Sequence, residues 1–203
     1  TKHVAMSQFW NDRYRNEAYA YGKEPNAFFK EQIGKLKPGK LFVPGAGEGR
    51  DAVYAASLGW DVTALDLSSE GRTKAMQLAA EKDCSIRYEV LDIGSFDLKT
   101  PRFDAIALIY FHLPAPLREA IYPKLASALN SGGILILEAF HPSQLRFNSG
   151  GPKDISMLIS AADTERSFAS LEKMISLETE VVLDEGPFHQ GPAFVTRFAG
   201  YRK

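Results

Sequence analysis

Residues 41–66, LFVPGAGEGRDAVYAASLGWDVTALD, constrain the fold more than any other stretch of the chain. An apolar run enters a turn of three alternating glycines, passes into an amphipathic stretch, and returns as a second apolar run ending in Asp66. That succession is a βαβ unit whose first strand turns tightly into a helix. The helix must carry the chain back across the sheet, so the two strands are parallel and the crossover is right-handed.

The alternation continues downstream. Strands are expected at 41–43, 62–65, 86–90, 103–109 and 134–139, interleaved with helices at 48–58, 68–82 and 116–129. Nearly every residue of 103–109 is apolar, as in a parallel strand buried on both faces. Upstream, a helix opened by Ser7 is expected over 7–17. A second is expected over 26–36, with Phe28, Phe29, Ile33 and Leu36 inward and Pro38-Gly39 ending it. The last third changes character: a polar, glycine-rich loop at 141–153, a weak helical pattern at 155–171, then strands at 177–184 and 193–201 joined by EGPFHQGP. The expected fold is a doubly wound, mostly parallel α/β sheet with helices on both faces and an antiparallel C-terminal edge. It is expected as one domain over 1–203, with a helical cap at 1–38, a cofactor-binding core at 39–140 and a substrate-side region at 141–203.

The glycine turn narrows the ligand. A dinucleotide fingerprint reads GxGxxG, its third glycine letting helix and strand pack closely around a pyrophosphate. Here Gly45-Ala46-Gly47-Glu48-Gly49-Arg50 puts Arg50 in the third glycine's place and an acid, Glu48, beside the phosphate site. Both oppose a dinucleotide. A sulfonium nucleoside carries a positive centre and no phosphate, so neither objection applies to it. Asp66, at the end of the second strand, is placed to accept from both ribose hydroxyls; it can also cap the helix starting at Ser68-Ser69, and the ribose role is the expectation. Asp92 ends the third strand, where it either accepts from an adenine amine, with the Ile93 backbone against the ring edge, or caps a turn.

With these positions aligned, the chain resembles class I S-adenosylmethionine-dependent methyltransferases, the seven-stranded Rossmann-like group, and more narrowly their tellurite-resistance and thiopurine-type relatives. FWNDRYRNEAYAYGKEPN, GEGRDA, GGPKD and EGPFHQG carry the narrower likeness. The resemblance implies S-adenosylmethionine as cofactor, held by Gly45, Ala46, Gly47, Gly49, Arg50, Asp66, Leu67, Asp92, Ile93 and Tyr110. It also implies an N-terminal segment folded over the cofactor, with Trp10, Arg13, Tyr14 and Tyr21 near it. The family usually has an acidic residue two before the first glycine; Val43 stands there, followed by Pro44. Glu48 or backbone carbonyls of the turn are the alternatives for holding the methionine ammonium.

The acceptor site is expected past the fourth strand, at Tyr110–Pro114. His112 is the first candidate for acid, base or substrate contact, with capping as the alternative, and His141 and His189 are expected to point to the same crevice. No HxH or HxxxH pair suggests a metal. Arg118 and Arg146 are candidates to attract an anionic acceptor, and Phe111, Phe140 and Phe147 to wall the pocket. The Asp/Asn-Pro-Pro-aromatic signature of nucleic-acid amino methylation is absent, and Cys84 has no adjacent proline.

Charge agrees with a small acceptor. Lys plus Arg number 24 against 25 Asp plus Glu, a net charge of −1, so there is no basic excess of the kind nucleic-acid backbones recruit. The single Cys84 rules out an intrachain disulfide or thiolate cluster. No window approaches the ~18 apolar residues that span a bilayer, and the first residues lack an apolar signal core. The expectation is a cytoplasmic monomer or homodimer that methylates a small molecule, possibly a thiol or chalcogen compound, without nucleic-acid or membrane partners. The alternatives are a protein or RNA methyltransferase and a non-catalytic S-adenosylmethionine-binding protein.

Overall fold

In the computed structural model, which describes residues 2–203, seven strands form one sheet in the order β3-β2-β1-β4-β5-β7-β6. They are β1 (Lys40–Pro44), β2 (Asp61–Asp66), β3 (Arg87–Val90), β4 (Phe103–Ile109), β5 (Leu129–Phe140), β6 (Glu172–Asp184) and β7 (Gln190–Tyr201). Strand β2 runs parallel to β1 and β3, and β4 runs parallel to β5. β7 is antiparallel to both β5 and β6. The sheet is thus mixed and mostly parallel with an antiparallel C-terminal edge. The helices are α1 (Lys2–Tyr14), α2 (Ala27–Ile33), α3 (Arg50–Ser57), α4 (Ser69–Glu81), α5 (Ala115–Ser127) and α6 (Ala161–Ser167). The chain separates into two compact units: the residues up to Phe96 with Glu185–His189, and Asp97–Asp184 with Gln190–Lys203.

In the first unit, Leu41, Phe42 and Val43 of β1 and Val62, Ala64 and Leu65 of β2 are buried, and Phe42 stacks on Phe96 at 4.6 Å. Ser68 caps α4 by accepting the Gly71 amide at 3.0 Å, and α4 then buries Gly71, Lys74, Ala75, Leu78 and Ala79, one face at helical spacing. The N-terminus differs from expectation. Ser7 opens no helix: α1 starts at Lys2, and the Ser7 hydroxyl donates instead to the Leu67 carbonyl at 3.1 Å. Helix α1 also stops at Tyr14, because the carbonyls of Asn16 and Ala18 go to the Lys74 ammonium rather than to a further helical turn. In α2, capped by Asn26, Phe28, Phe29 and Ile33 are buried as expected, while Leu36 lies half-exposed beyond the helix end.

In the second unit β4 occupies the expected residues. The helix expected to reach Leu129 ends at Ser127, and β5 starts at Leu129, well before Ile134. Leu129 already pairs with Phe103, and the register shifts between Phe103 and Ala105, so the Gly132-Gly133 stretch is an irregularity inside the strand rather than a turn before it. Strand β6 likewise begins at Glu172 instead of Leu177, because Glu172 and Lys173 pair with Tyr201 and Gly200. The weak helical pattern resolves into a 3-10 turn at Ile155–Met157 and α6, which Ser160 caps. Tyr122, Phe168 and Phe198 stack in series at 4.8 and 5.6 Å in its core.

Candidate cofactor and acceptor sites

The glycine turn is held from both sides. Its Gly47 amide donates to Asp66 Oδ2 at 2.8 Å, and its Gly47 carbonyl accepts the Tyr88 hydroxyl at 2.7 Å. The Ala46 amide donates to the Leu65 carbonyl at 3.0 Å, fixing the turn to the end of β2. Two positions admit only glycine. Gly47 (φ +54°) would place a Cβ 2.8 Å from the Tyr14 hydroxyl, and Gly49 (φ +85°), the N-cap of α3, would place one 2.6 Å from Ala75 Cβ. Burial and then the Asp66 charge push the Tyr14 phenol well above its ordinary range; burial does the same to Tyr88. Both remain neutral hydroxyls beside the turn.

Asp66 Oδ1 accepts the Ser68 amide at 3.0 Å, so this carboxylate ties the glycine turn to the start of α4. Burial raises its carboxyl above the usual aspartate range, against the Gly47, Ser68 and Leu67 amides. Asp92 accepts the Gly94 amide at 2.8 Å, which is its capping alternative, and its other oxygen lies 3.5 Å from His3 Nδ1. Ile93 is buried and Leu67 half-buried.

Glu48 does not stand open to a ligand ammonium. Its Oε1 accepts the Ala20 amide at 2.8 Å, and its Oε2 pairs with Lys74, whose ammonium also donates to the Asn16 and Ala18 carbonyls. Burial raises the Glu48 carboxyl against the pull of Lys74. The Arg50 side chain points to the β6–β7 turn: its guanidinium reaches Glu185 Oε2 at 2.9 Å and the Tyr21 carbonyl at 3.4 Å. Glu185 also accepts from Asn26 Nδ2 at 3.0 Å and lies 3.4 Å from His189 Nδ1. Burial works to raise the Glu185 carboxyl, but the His189 bond and the Arg50 charge bring it down to about 2. Trp10 stacks on Tyr14 at 5.6 Å, and Arg13 donates to the Tyr21 hydroxyl at 3.0 Å while lying 4.0 Å over Phe188.

In the second unit Tyr110 follows β4 with φ +52°, in the left-handed region that non-glycine residues rarely occupy. Its hydroxyl donates to Glu138 Oε2 at 2.5 Å. His112 Nε2 accepts the Phe140 amide at 3.1 Å, so the neutral ring carries its proton on Nδ1, and it stacks on the Phe140 ring at 5.6 Å. His141 caps the 3-10 turn at Pro142–Arg146, Nδ1 accepting the Ser143 amide at 3.0 Å, and its Nε2 meets the Glu178 carboxylate. The three histidines therefore have three separate settings: His112 on the Phe140 backbone, His141 on Glu178, and buried His189 against Tyr21 at 4.4 Å. Arg118 is buried and donates to the Ser156 carbonyl at 3.0 Å, and Arg146 is exposed. Among the described residues no group of three His, Cys, Asp or Glu is arranged to hold a metal ion, and no helix is long and apolar enough to cross a membrane.

Sequence reasoning passed over Tyr88, Lys74 and Arg197. Lys74 left a signal, since it falls on the same helical face as Gly71, Ala75 and Leu78. Glu138 left a stronger one as a lone charge within ILILEAF.

Comparison with known proteins places the fold. The family model for a methyltransferase domain matches residues 44–133. TehB from Haemophilus influenzae superposes with a TM-score of 0.73 at 16% identity, covering 97% of this chain and 67% of that one. Magnesium protoporphyrin IX methyltransferase from Synechocystis, solved with bound S-adenosylhomocysteine, gives 0.72 at 17% identity over 100% of both chains. A TehB-like S-adenosylmethionine-dependent methyltransferase from Corynebacterium glutamicum gives 0.59 at 20% identity, over 100% of this chain and 98% of that one. At such identities the likeness is one of fold. A comparison with curated proteins finds no match.

Proposed function

We propose that this chain, whose residues 44–133 match a methyltransferase-domain model, transfers a methyl group from S-adenosylmethionine to a compact small molecule such as a thiol or chalcogen compound. The domain model matched over 44–133 supports a methyltransferase, and S-adenosylmethionine is the cofactor that reading implies. The observation that carries the proposal is the glycine turn clamped between Asp66 and Tyr88, with no room for a Cβ at Gly47 or Gly49.

The residues present fit that cofactor. Asp66 supplies a carboxylate at the end of β2 for the ribose hydroxyls, and Leu67 adjoins it. Asp92 and Ile93 serve the adenine from the end of β3. Gly45, Ala46, Gly47, Gly49 and the Arg50 amide offer bare backbone for the methionine portion, with Trp10, Arg13, Tyr14 and Tyr21 as its cover. The ammonium falls to carbonyls of the turn, because Glu48 is committed to Lys74. When bound, S-adenosylmethionine supplies a methyl carbon activated by its sulfonium. The chain's own task is then to align an acceptor and exclude water. The net charge of −1 and the resemblance to tellurite-resistance and thiopurine-type relatives support a compact acceptor over a nucleic acid.

The test has two stages. Calorimetry measures binding of S-adenosylmethionine and S-adenosylhomocysteine. S-adenosylhomocysteine release with 2-mercaptoethanol, selenite, a histone-tail peptide and a short RNA then ranks acceptors. Turnover with the small molecules above the peptide and RNA is the expected outcome. A preference for either polymer overturns the acceptor class, and binding without any release leaves a non-catalytic binding protein.

A further inference from the structure

Arg13 carries its charge among rings rather than acids. Its half-buried guanidinium, near the end of α1, lies 4.0 Å over the Phe188 ring, 5.1 Å from that of Phe9 and 6.0 Å from that of Trp10. Nη1 makes one hydrogen bond, to the Tyr21 hydroxyl at 3.0 Å. Burial raises the Tyr21 phenol against the pull of Arg13, so that hydroxyl stays neutral and brings no counter-charge. Among the described residues no carboxylate lies within ion-pair distance of Arg13, whereas Arg50, Arg87 and Arg197 each meet one. A guanidinium holds five N–H donors in one plane. Rings packed on its face leave the edge open, so the Nε–Nη2 side keeps the fork that takes a carboxylate bidentately. The setting is also firmly built. The Phe188 amide donates to the Ala20 carbonyl at 3.1 Å, and Gly186 packs on Gly22 with no room for a Cβ. Phe9 and Phe188 are 52% and 41% exposed, so an apolar face lies open beside the cation. All of these residues belong to the first compact unit, which also holds the glycine turn. Within that unit Tyr21 meets Tyr14 edge to face at 6.4 Å, and the Tyr14 hydroxyl adjoins Gly47.

We infer that Arg13 binds the carboxylate of the methyl acceptor, with Phe9 and Phe188 against the acceptor's apolar body. The inference rests on the methyl-transfer proposal and adds a substrate class to it: a small acceptor that carries a carboxylate at one end of an apolar chain or ring. A partly desolvated cation without an anion is costly, and a ligand carboxylate removes that cost. The methionine end of the cofactor is the other source of a carboxylate. It carries an ammonium beside that carboxylate and gains little from two exposed phenyl rings, whereas an apolar acceptor body gains by covering them. Arg118 and Arg146, the arginines expected from sequence to attract an anion, have no such setting. The first is buried on the Ser156 carbonyl and the second stands exposed.

The test pairs 6-mercaptohexanoate with 6-mercaptohexan-1-ol as acceptors. The ratio of their kcat/KM values is expected to fall about ten- to a hundredfold in Arg13→Gln, beyond any loss the two thiols share. Arg13→Lys, which keeps the charge without the fork, should recover part of that ratio. A readout without cofactor or turnover accompanies these. The ¹⁵Nε resonance of Arg13, assigned by its absence in Arg13→Gln, should shift saturably with hexanoate and not with hexanamide. A resonance indifferent to hexanoate, or moved equally by hexanamide, would overturn the inference, as would an unchanged ratio in Arg13→Gln. Lost S-adenosylhomocysteine affinity with that ratio intact would also overturn it, giving Arg13 to the cofactor carboxylate instead. If the wild type binds S-adenosylhomocysteine but methylates neither thiol, the thiol reading of the methyl-transfer proposal falls and the Arg13 resonance alone decides the inference. Failure of the wild type to bind S-adenosylhomocysteine would overturn the methyl-transfer proposal itself.

Discussion

Asp66 ends β2 with a carboxylate that accepts two backbone amides, from Gly47 at 2.8 Å and Ser68 at 3.0 Å. Both roles weighed for it from sequence act at this one residue if it also takes the ribose. Asp66→Ala should then weaken S-adenosylmethionine binding by ~1–3 kcal/mol, since polar groups that share this acceptor lose it. Wild-type affinity in that variant would return Asp66 to capping alone. The pH dependence has a defined sign. Only the ionised carboxylate accepts from two hydroxyls, and burial raises this carboxyl, so affinity should fall as pH drops, beginning above the ordinary aspartate range. Flat affinity on acidification would argue against the ribose contact. Gly49 makes a second prediction at this scale. Gly49→Ala combines a left-handed φ with a 2.6 Å approach to Ala75 and should cost about 1–3 kcal/mol. Gly132→Ala (φ +79°) has nothing within 4 Å and should lower the melting temperature less.

Among the elements, α4 does more than cover the sheet. Lys74 lies on its buried face, and its ammonium gathers Glu48 and the carbonyls of Asn16 and Ala18, pinning the segment after α1 beside the glycine turn. Lys74→Met should therefore cost about 3–5 kcal/mol, because it leaves Glu48 buried without its cation. Adding Glu48→Gln should recover part of that loss in chemical denaturation, since the amide oxygen can still accept from Ala20. A double variant no more stable than the single one would mean that the carbonyl contacts, not the ion pair, dominate. These elements also show what the sequence could carry. The run 103–109 and the Ser68 cap were legible because apolar runs and capping residues act locally. The start of α1, the early start of β5 and the four extra β6 pairs were not. Each is decided by a distant partner: Leu67 for Ser7, Phe103 for Leu129, Tyr201 for Glu172.

For the whole molecule, the Glu185–His189 turn belongs to the compact unit formed by the first 96 residues, although it joins the last two strands. Its anchor is Glu185, which takes Arg50 and Asn26 from far along the chain. The sequence marked EGPFHQG as a motif but offered no partner for it, since no local pattern reports contacts of such separation. The Glu185 carboxyl is lowered from 4.5 to about 2, so the anchor is fully present above pH 4.5 and is lost as pH falls through about 2. The shift corresponds to stability on the order of 3 kcal/mol. Glu185→Gln should lower stability at neutral pH and flatten its acid dependence over that window; an unchanged acid profile would remove Glu185 as the anchor. The mostly parallel sheet with its antiparallel edge and the glycine turn were both readable in outline, while the cluster of Tyr110, Glu138 and Arg197 was not, because these residues meet only when β4, β5 and β7 pair. The central claim is that this fold holds S-adenosylmethionine at the Gly45–Gly49 turn. Isothermal titration calorimetry of the full chain tests it most directly: saturable one-to-one binding of both S-adenosylmethionine and S-adenosylhomocysteine, weakened by Asp66→Ala, is predicted, and binding of neither would contradict it.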